Sequence, residues 1–107
     1  MKKIVVTDWR DPIYPGEILR DEIDEIGISA WKMARYLQIP DNRLYAILEG
    51  TRSISADTAV RLGKFFGTSP QFWLNLQQSY ELDVALQGEI KGIDLIKPYT
   101  ELQKELA

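Results

Sequence analysis

Apolar residues recur along most of the chain at spacings of three and four positions, which is the period of a helix that buries one face. Short breaks that contain glycine, proline or serine separate these stretches, and such residues begin and end helices. The pattern predicts five helices, over residues 16–26, 29–37, 41–49, 55–66 and 69–86. Four residues are predicted N-caps, whose side-chain oxygens accept free backbone N–H groups: Ser29, Asp41, Ser55 and Ser69. We therefore expect an all-α fold of short, compactly crossing helices.

These helices predict one domain over residues 15–87, with an N-terminal arm over 1–14 and a C-terminal tail over 88–107. In the arm, Ile4-Val5-Val6 is typical of a short strand, which could join a partner's sheet, pair with a second copy of the chain, or fray. Trp9 is expected to cover the core. The tail is expected to form at most one short helix, near residues 99–106.

The chain of 107 residues contains no histidine and no cysteine. This excludes disulfides, thiolate nucleophiles, Cys/His zinc sites and triads with an imidazole base. An acidic cluster in the first helix has neither histidine neighbours nor the spacing of a calcium loop. Its members are Asp21, Glu22, Asp24 and Glu25. We interpret it as a solvated face or a docking surface for a cationic partner, and we expect no enzyme activity, cofactor or metal.

The longest uninterrupted apolar run covers only residues 44–48, whereas a membrane span needs about twenty residues. The first residues contain a basic pair but lack the apolar segment of a signal peptide. We therefore expect a cytoplasmic protein that has no membrane segment.

The second and third predicted helices are separated by a tight break at residues 38–40, which is the spacing of a helix-turn-helix motif. In that motif the second helix presents its exposed face to the major groove. Asn42 and Arg43 carry the forked side chains that suit adenine and guanine edges, and Tyr45 could contact a thymine methyl group. The predicted phosphate contacts are Lys32, Arg35, Thr51, Arg52 and Ser53.

The net charge of −3 conceals an uneven distribution of charge along the chain. Residues 29–66 contain six basic and three acidic side chains, which gives a net charge of +3. The segments before and after it, 1–28 and 67–107, each have a net charge of −3. Positive charge is therefore confined to the predicted DNA-binding segment, and the acidic flanks suggest a basic protein partner.

Over about residues 13–84 the sequence resembles the HigA antitoxins, a VapI-like branch of the Xre-type helix-turn-helix regulators. The matching motifs are YPGEIL at 14–19, residues 28–29 and 33–34, Arg43, Gly50, RSISADTA at 52–59, residues 61–62, FFGTS at 65–69 and FWLNLQ at 72–77. The resemblance implies an antitoxin that neutralises a small basic mRNA endonuclease, HigB. It also implies a homodimer that represses its own operon by binding an operator palindrome.

Two positions depart from the family pattern. Family members usually carry a phosphate-contacting glutamine where this chain has Ala30, and a glycine in the turn where it has Gln38. A residue other than glycine in a left-handed conformation costs about 1 kcal/mol. Both departures bear on DNA affinity more than on the fold. They slightly favour the alternative of a protein-interaction module with a vestigial motif. A solitary regulator without a toxin partner is a further alternative.

The fifth predicted helix carries the candidate contacts with another chain. Phe72 is expected to lie in the core because its face continues through Leu76. Trp73, one position further round, is the better candidate for a contact with another helix or another chain. The candidate residues for an interface with a partner or a second copy are Trp73, Gln77 and Tyr80. Trp31 is expected to point outward from the second helix, toward either the arm or the DNA backbone.

Overall fold

A computed structural model describes residues 12–107 of the chain. This range contains six α-helices and a short 3₁₀ helix, and it contains no strand. The helices are α1 (Pro15–Ile26), α2 (Ala30–Leu37), α3 (Asp41–Glu49), α4 (Ala56–Phe66), α5 (Pro70–Gln87) and α6 (Tyr99–Leu106), with the 3₁₀ helix at Ile93–Leu95. The all-α prediction is confirmed for this range. The sixth helix lies in the tail, so the domain itself has the five expected. The predictions for Ile4-Val5-Val6 and Trp9 lie outside the described residues.

Three serines cap helices as predicted, each with its side-chain oxygen accepting a backbone N–H three residues later. The distances are 3.1 Å for Ser29, 3.3 Å for Ser55 and 3.1 Å for Ser69. A capping bond of this kind typically contributes about 1 kcal/mol. Local sequence therefore determined where α2, α4 and α5 begin.

The prediction that Asp41 caps α3 was wrong. Pro40 occupies the cap position and provides no side-chain bond, and Asp41 is the first helical residue. Its carboxylate instead accepts a hydrogen bond from the guanidinium of Arg35 in α2. Proline at the cap has the extended backbone conformation that a cap requires, so the cap lies one residue earlier than predicted and Asp41 is already helical.

One hydrophobic core joins the first five helices. In it α1 packs against α3 and α5, α2 packs against α3 and α4, and α4 packs against α5. Leu19, Met33, Leu44 and Leu62 are completely buried at the centre of this core. The four α-helices between residues 15 and 66 bury most of the apolar positions that their periodicity predicted, but Ile26, at the end of the predicted stripe of α1, is 47% exposed.

Gly16 explains why the YPGEIL motif needs a glycine in the first turn of α1. A Cβ at this position would lie 2.1 Å from the carbonyl oxygen of Ile47 and 2.9 Å from the Cα of Leu48. Any side chain here would force α1 away from α3, the helix that carries the candidate base-contacting residues. The close contact between these two helices therefore depends on the missing side chain.

The structure buries Trp73 against another helix of the same chain and exposes Phe72. Trp73 is 2% exposed, packs against Phe66 and donates a hydrogen bond from Nε1 to Oγ1 of Thr68 at 3.0 Å. Phe72 is 45% exposed, so its assignment to the core was wrong. Apolar side chains lie on several sides of α5, and the period of the sequence could not identify the buried side.

Residues 88–107 are all exposed, and α6 contributes no buried residue. The predicted division at 14/15 and 87/88 stays a prediction. Between residues 12 and 107, none of the helices is both long and apolar enough to cross a membrane.

Candidate nucleic-acid interface

The turn between α2 and α3 places the two helices of the motif. Gln38 closes α2 in the left-handed conformation, with φ 57° and ψ 47°. Its backbone N–H donates to Arg35 O at 3.1 Å, and the N–H of Ile39 donates to Ala34 O at 3.1 Å. These bonds satisfy carbonyls at the end of α2 that would otherwise be free. The conformation costs a glutamine about 1 kcal/mol, as the departure from glycine suggested.

Most of the predicted DNA-contacting side chains are exposed on α2, α3 and the loop after α3. Those classed as exposed are Lys32, Arg35, Asn42, Tyr45, Thr51, Arg52 and Ser53. Trp31 also points outward, as predicted, and the guanidinium of Arg35 lies 5.5 Å from its ring centroid. This geometry allows a cation–π contact that orients Arg35 on the outer surface of α2.

Arg43 differs from the other candidates because α4 holds its side chain. Its Nη1 donates to Oδ2 of Asp57 at 2.7 Å, and its side chain is only 24% exposed. The same Asp57 oxygen accepts a bond from Nε of Arg61 at 2.9 Å. Arg61 in turn donates from Nη1 to the carbonyls of Leu37 at 3.0 Å and Gln38 at 3.2 Å. A hydrogen-bonded chain therefore runs from the turn, through α4, to the first turn of α3.

The two guanidinium groups lower the pKa of the Asp57 carboxyl below its ordinary value of 3.8, the bond from Arg61 acting more strongly than that from Arg43. Both bonds stabilise the ionised carboxylate, and the ionised carboxylate in turn orients the two guanidinium groups. Asp57 and Arg61 were not among the predicted site residues. A sequence signal did exist, because their spacing of four along α4 is that of a helical ion pair, but it did not indicate the contact with Arg43.

The loop after α3 is held by side chains of its own and of α5. Thr51 donates from Oγ1 to Ala46 O at 3.2 Å, and Ser53 donates from its hydroxyl to Oε2 of Glu81 at 3.2 Å. Gln77 Nε2 donates to Ser53 at 3.3 Å and to Glu81 at 2.9 Å. These bonds fix both hydroxyls but use the single O–H donor of each, so either hydroxyl must exchange its bond before it can donate to a phosphate.

The predicted interface residues of α5 occupy different environments. Trp73 and Gln77 are buried inside the single chain, at 2% and 8% exposure, and Gln77 is bonded to the loop after α3. Tyr80 is half-buried, and its ring meets that of Tyr14 edge-on at 6.2 Å. Their contact with a second chain stays a prediction.

The carboxylates of α1 project into solvent at residues 21, 22, 24 and 25. Within the described part of the chain, no group of three or more acidic side chains is arranged to hold a metal ion.

A family model described as helix-turn-helix matches residues 19–73, which extend from α1 into the start of α5. The chain belongs to the Xre-type helix-turn-helix family, a family of DNA-binding regulators and antitoxins rather than enzymes. Within this family its similarity is to the HigA antitoxins, as the sequence motifs indicated.

Three comparisons show how far the similarity extends. Virulence-associated protein I of Dichelobacter nodosus is 42% identical over 87 residues, which cover 80% of each chain. An addiction module antidote protein of the HigA family from Coxiella burnetii is 52% identical, with a TM-score of 0.78 over 84% of this chain and 100% of the other. A Pseudomonas aeruginosa antitoxin HigA, whose structure includes the higBA promoter, is 47% identical, with a TM-score of 0.75 over 81% of this chain and 97% of the other.

Proposed function

We propose that this protein is the antitoxin of a type II toxin–antitoxin module, which binds operator DNA as a homodimer and represses its own operon. The observation that best supports this proposal is the exposed polar face of α3, where Asp57 holds Arg43 in the first turn. This face lies within the segment 29–66, which has a net charge of +3. The similarity to a HigA antitoxin solved with promoter DNA supports the same function.

In the proposed complex, α3 of each protomer enters a major groove, and the two helices lie about 34 Å apart on one side of the duplex. Asn42 and Arg43 contact base edges, and Tyr45 packs on a thymine methyl group. The phosphate contacts come from Lys32, Arg35, Thr51, Arg52 and Ser53. The ion pair of Arg35 with Asp41 is exposed on both sides, so it exchanges readily for a phosphate contact.

The proposed toxin partner is a small basic mRNA endonuclease of the HigB type. The similarity to HigA antitoxins supports this proposal, and so do the two acidic flanks of the chain. Opposite charges accelerate association and help to exclude wrong partners. Binding operator DNA and an mRNA endonuclease would both place the protein in the cytoplasm.

The DNA-binding proposal is tested by fluorescence anisotropy with the duplex that lies directly upstream of the first coding sequence of the protein's operon, here called the upstream duplex. A shuffled duplex of the same composition, measured at the same salt concentration, is the reference. We expect the upstream duplex to bind at least about 10³-fold more tightly, which is the low end for a specific regulator. Equal affinity for the two duplexes would reject operator binding and leave the motif as an interaction surface.

The toxin proposal is tested on the neighbouring reading frame. We expect a short, strongly basic coding sequence beside this one, whose product arrests growth alone and co-purifies with this protein when both are expressed. A neighbouring product that is harmless, or that does not bind, would instead indicate a solitary regulator.

A further inference from the structure

The ion pair between Arg43 of α3 and Asp57 of α4 belongs to a larger network of hydrogen bonds. Arg43 and Asp57 lie fourteen residues apart in the chain, and their Nη1 and Oδ2 atoms are 2.7 Å apart. Because Asp57 Oδ2 also accepts from Arg61, the carboxylate is oriented by two guanidinium groups. Arg61 is itself fixed to the carbonyls of Leu37 and Gln38. Hydrogen bonds through Asp57 and Arg61 therefore connect the Arg43 guanidinium to the turn between α2 and α3.

This arrangement leaves Arg43 able to donate elsewhere. A guanidinium has five N–H donors in a planar fork, and the bond to Asp57 uses one of them. The remaining donors include the second terminal nitrogen, which is suited to a guanine edge. The adjacent carboxylate offsets the positive charge of Arg43, so the attraction of this side chain to phosphates in general is reduced.

We propose that Asp57 is a specificity-determining positioning residue, which holds Arg43 for hydrogen bonding to a base edge and suppresses its binding to phosphates. This inference rests on the proposed operator binding and assigns a role within it. Asp57 acts through Arg43 and need not touch the DNA. Its effect therefore appears in the ratio of specific to non-specific affinity, and less in either affinity alone.

A second acidic residue provides a matched control. Asp41 also lies in the first turn of a helix on this surface, and it also pairs with an arginine, Arg35. Asp41→Asn removes the same charge as Asp57→Asn, but it releases a predicted phosphate ligand instead of a predicted base-contacting residue. General electrostatic effects are common to both variants, which differ in the arginines they release: Asp57→Asn weakens the bonds of Arg43 and Arg61, and Asp41→Asn weakens that of Arg35.

The experiment measures binding of wild type, Asp57→Asn and Asp41→Asn to the upstream and shuffled duplexes at one salt concentration. For Asp57→Asn we expect tighter binding to the shuffled duplex and a fall of about tenfold in the specific-to-non-specific ratio, within the range for one arginine–guanine pair. For Asp41→Asn we expect both affinities to rise together, with a ratio within about twofold of wild type. Thermal unfolding confirms that both variants are folded.

Two further variants separate positioning from charge. In an Arg43→Ala background, Asp57→Asn should leave the ratio unchanged, since the residue through which it acts is gone. Asp57→Glu keeps the charge but displaces the carboxylate by one methylene group, and we expect it to lower the ratio as well.

The outcomes distinguish this inference from the proposal on which it rests. A wild-type protein that shows no preference for its upstream DNA contradicts operator binding, and with it the role of Asp57. If wild type prefers the upstream duplex and Asp57→Asn keeps that ratio within about twofold, only the role of Asp57 is rejected. If Asp57→Asn lowered the specific-to-non-specific ratio by the same factor in the Arg43→Ala background as in wild type, Asp57 would not act through Arg43.

Discussion

The side-chain oxygen Oε1 of Gln77 accepts the backbone N–H of Ile54 at 2.8 Å, across 23 residues of chain. Both groups are buried, and the amide nitrogen of Gln77 donates to Ser53 and Glu81. A buried amide that is fully bonded in this way is a structural element of the fold. It joins α5 to the loop that carries three of the predicted phosphate contacts.

Gln77→Met should destabilise the protein by about 1–3 kcal/mol, because the substitution keeps the size of the side chain but leaves the Ile54 N–H without a partner. The free energy of unfolding in urea measures this effect. Gln78→Met, at the exposed neighbouring position, should change it by less than about 0.5 kcal/mol. Equal effects at the two positions would contradict a structural role for Gln77.

Trp73→Ala should cost about 3–5 kcal/mol, since it empties a buried site and leaves Thr68 without its donor. Phe72→Ala removes a ring that is half in solvent and should cost about 1 kcal/mol or less. The two midpoints of thermal unfolding test the order. If Phe72→Ala proved the more damaging variant, the assignment of Trp73 to the core would be wrong.

Gln38→Gly should stabilise the protein by about 0.5–1 kcal/mol, because glycine adopts the left-handed conformation without a Cβ penalty. The carbonyl that accepts from Arg61 remains in place. Gln78→Gly, inside the exposed face of α5, should instead destabilise it by about 1 kcal/mol. Urea unfolding of both variants measures whether the two changes in unfolding free energy have opposite signs. A Gln38→Gly variant less stable than wild type would argue against strain at the turn.

Arg43→Ala should weaken operator binding by about 1–3 kcal/mol and reduce discrimination between the upstream and shuffled duplexes. Arg52→Ala should weaken binding to both duplexes alike and lower the salt dependence by about one released counterion. Anisotropy titrations at several salt concentrations measure both quantities. Unchanged operator affinity in Arg43→Ala would remove Arg43 from the base contacts.

The lowered pKa of Asp57 predicts a pH-dependent contribution to stability. Because its pKa is lower in the folded state than the ordinary 3.8, the ionised carboxylate stabilises the fold above that value. This contribution disappears as the pH falls through the lower, folded-state pKa. The difference in unfolding free energy between wild type and Asp57→Asn should therefore be constant near neutral pH and shrink below pH 3.8. A difference that persisted undiminished in acid would show that the ionised carboxylate is not its cause.

Predictions from local signals succeeded where the signal and the structure involve the same few residues. Ser29, Ser55 and Ser69 cap helices because a serine three residues before a free N–H can bond to it without any help from the rest of the fold. The prediction for Asp41 was wrong because Pro40 and Asp41 both suit a cap position, and the extended conformation of Pro40 placed the cap there. The exposed positions of Lys32 and Asn42 followed from the helical period alone.

By itself the sequence determined the helices, their ends and the helix-turn-helix motif, because these depend on periodicity and on residues within a turn or two of each other. The family was indicated by the resemblance of its motifs to those of the HigA antitoxins. Only the tertiary structure decided that Trp73 rather than Phe72 is buried, that Gln77 bonds the loop after α3, and that Asp57 holds Arg43. These contacts join residues on different helices. They depend on the angle at which α3, α4 and α5 cross, and that angle results from the packing of the whole core.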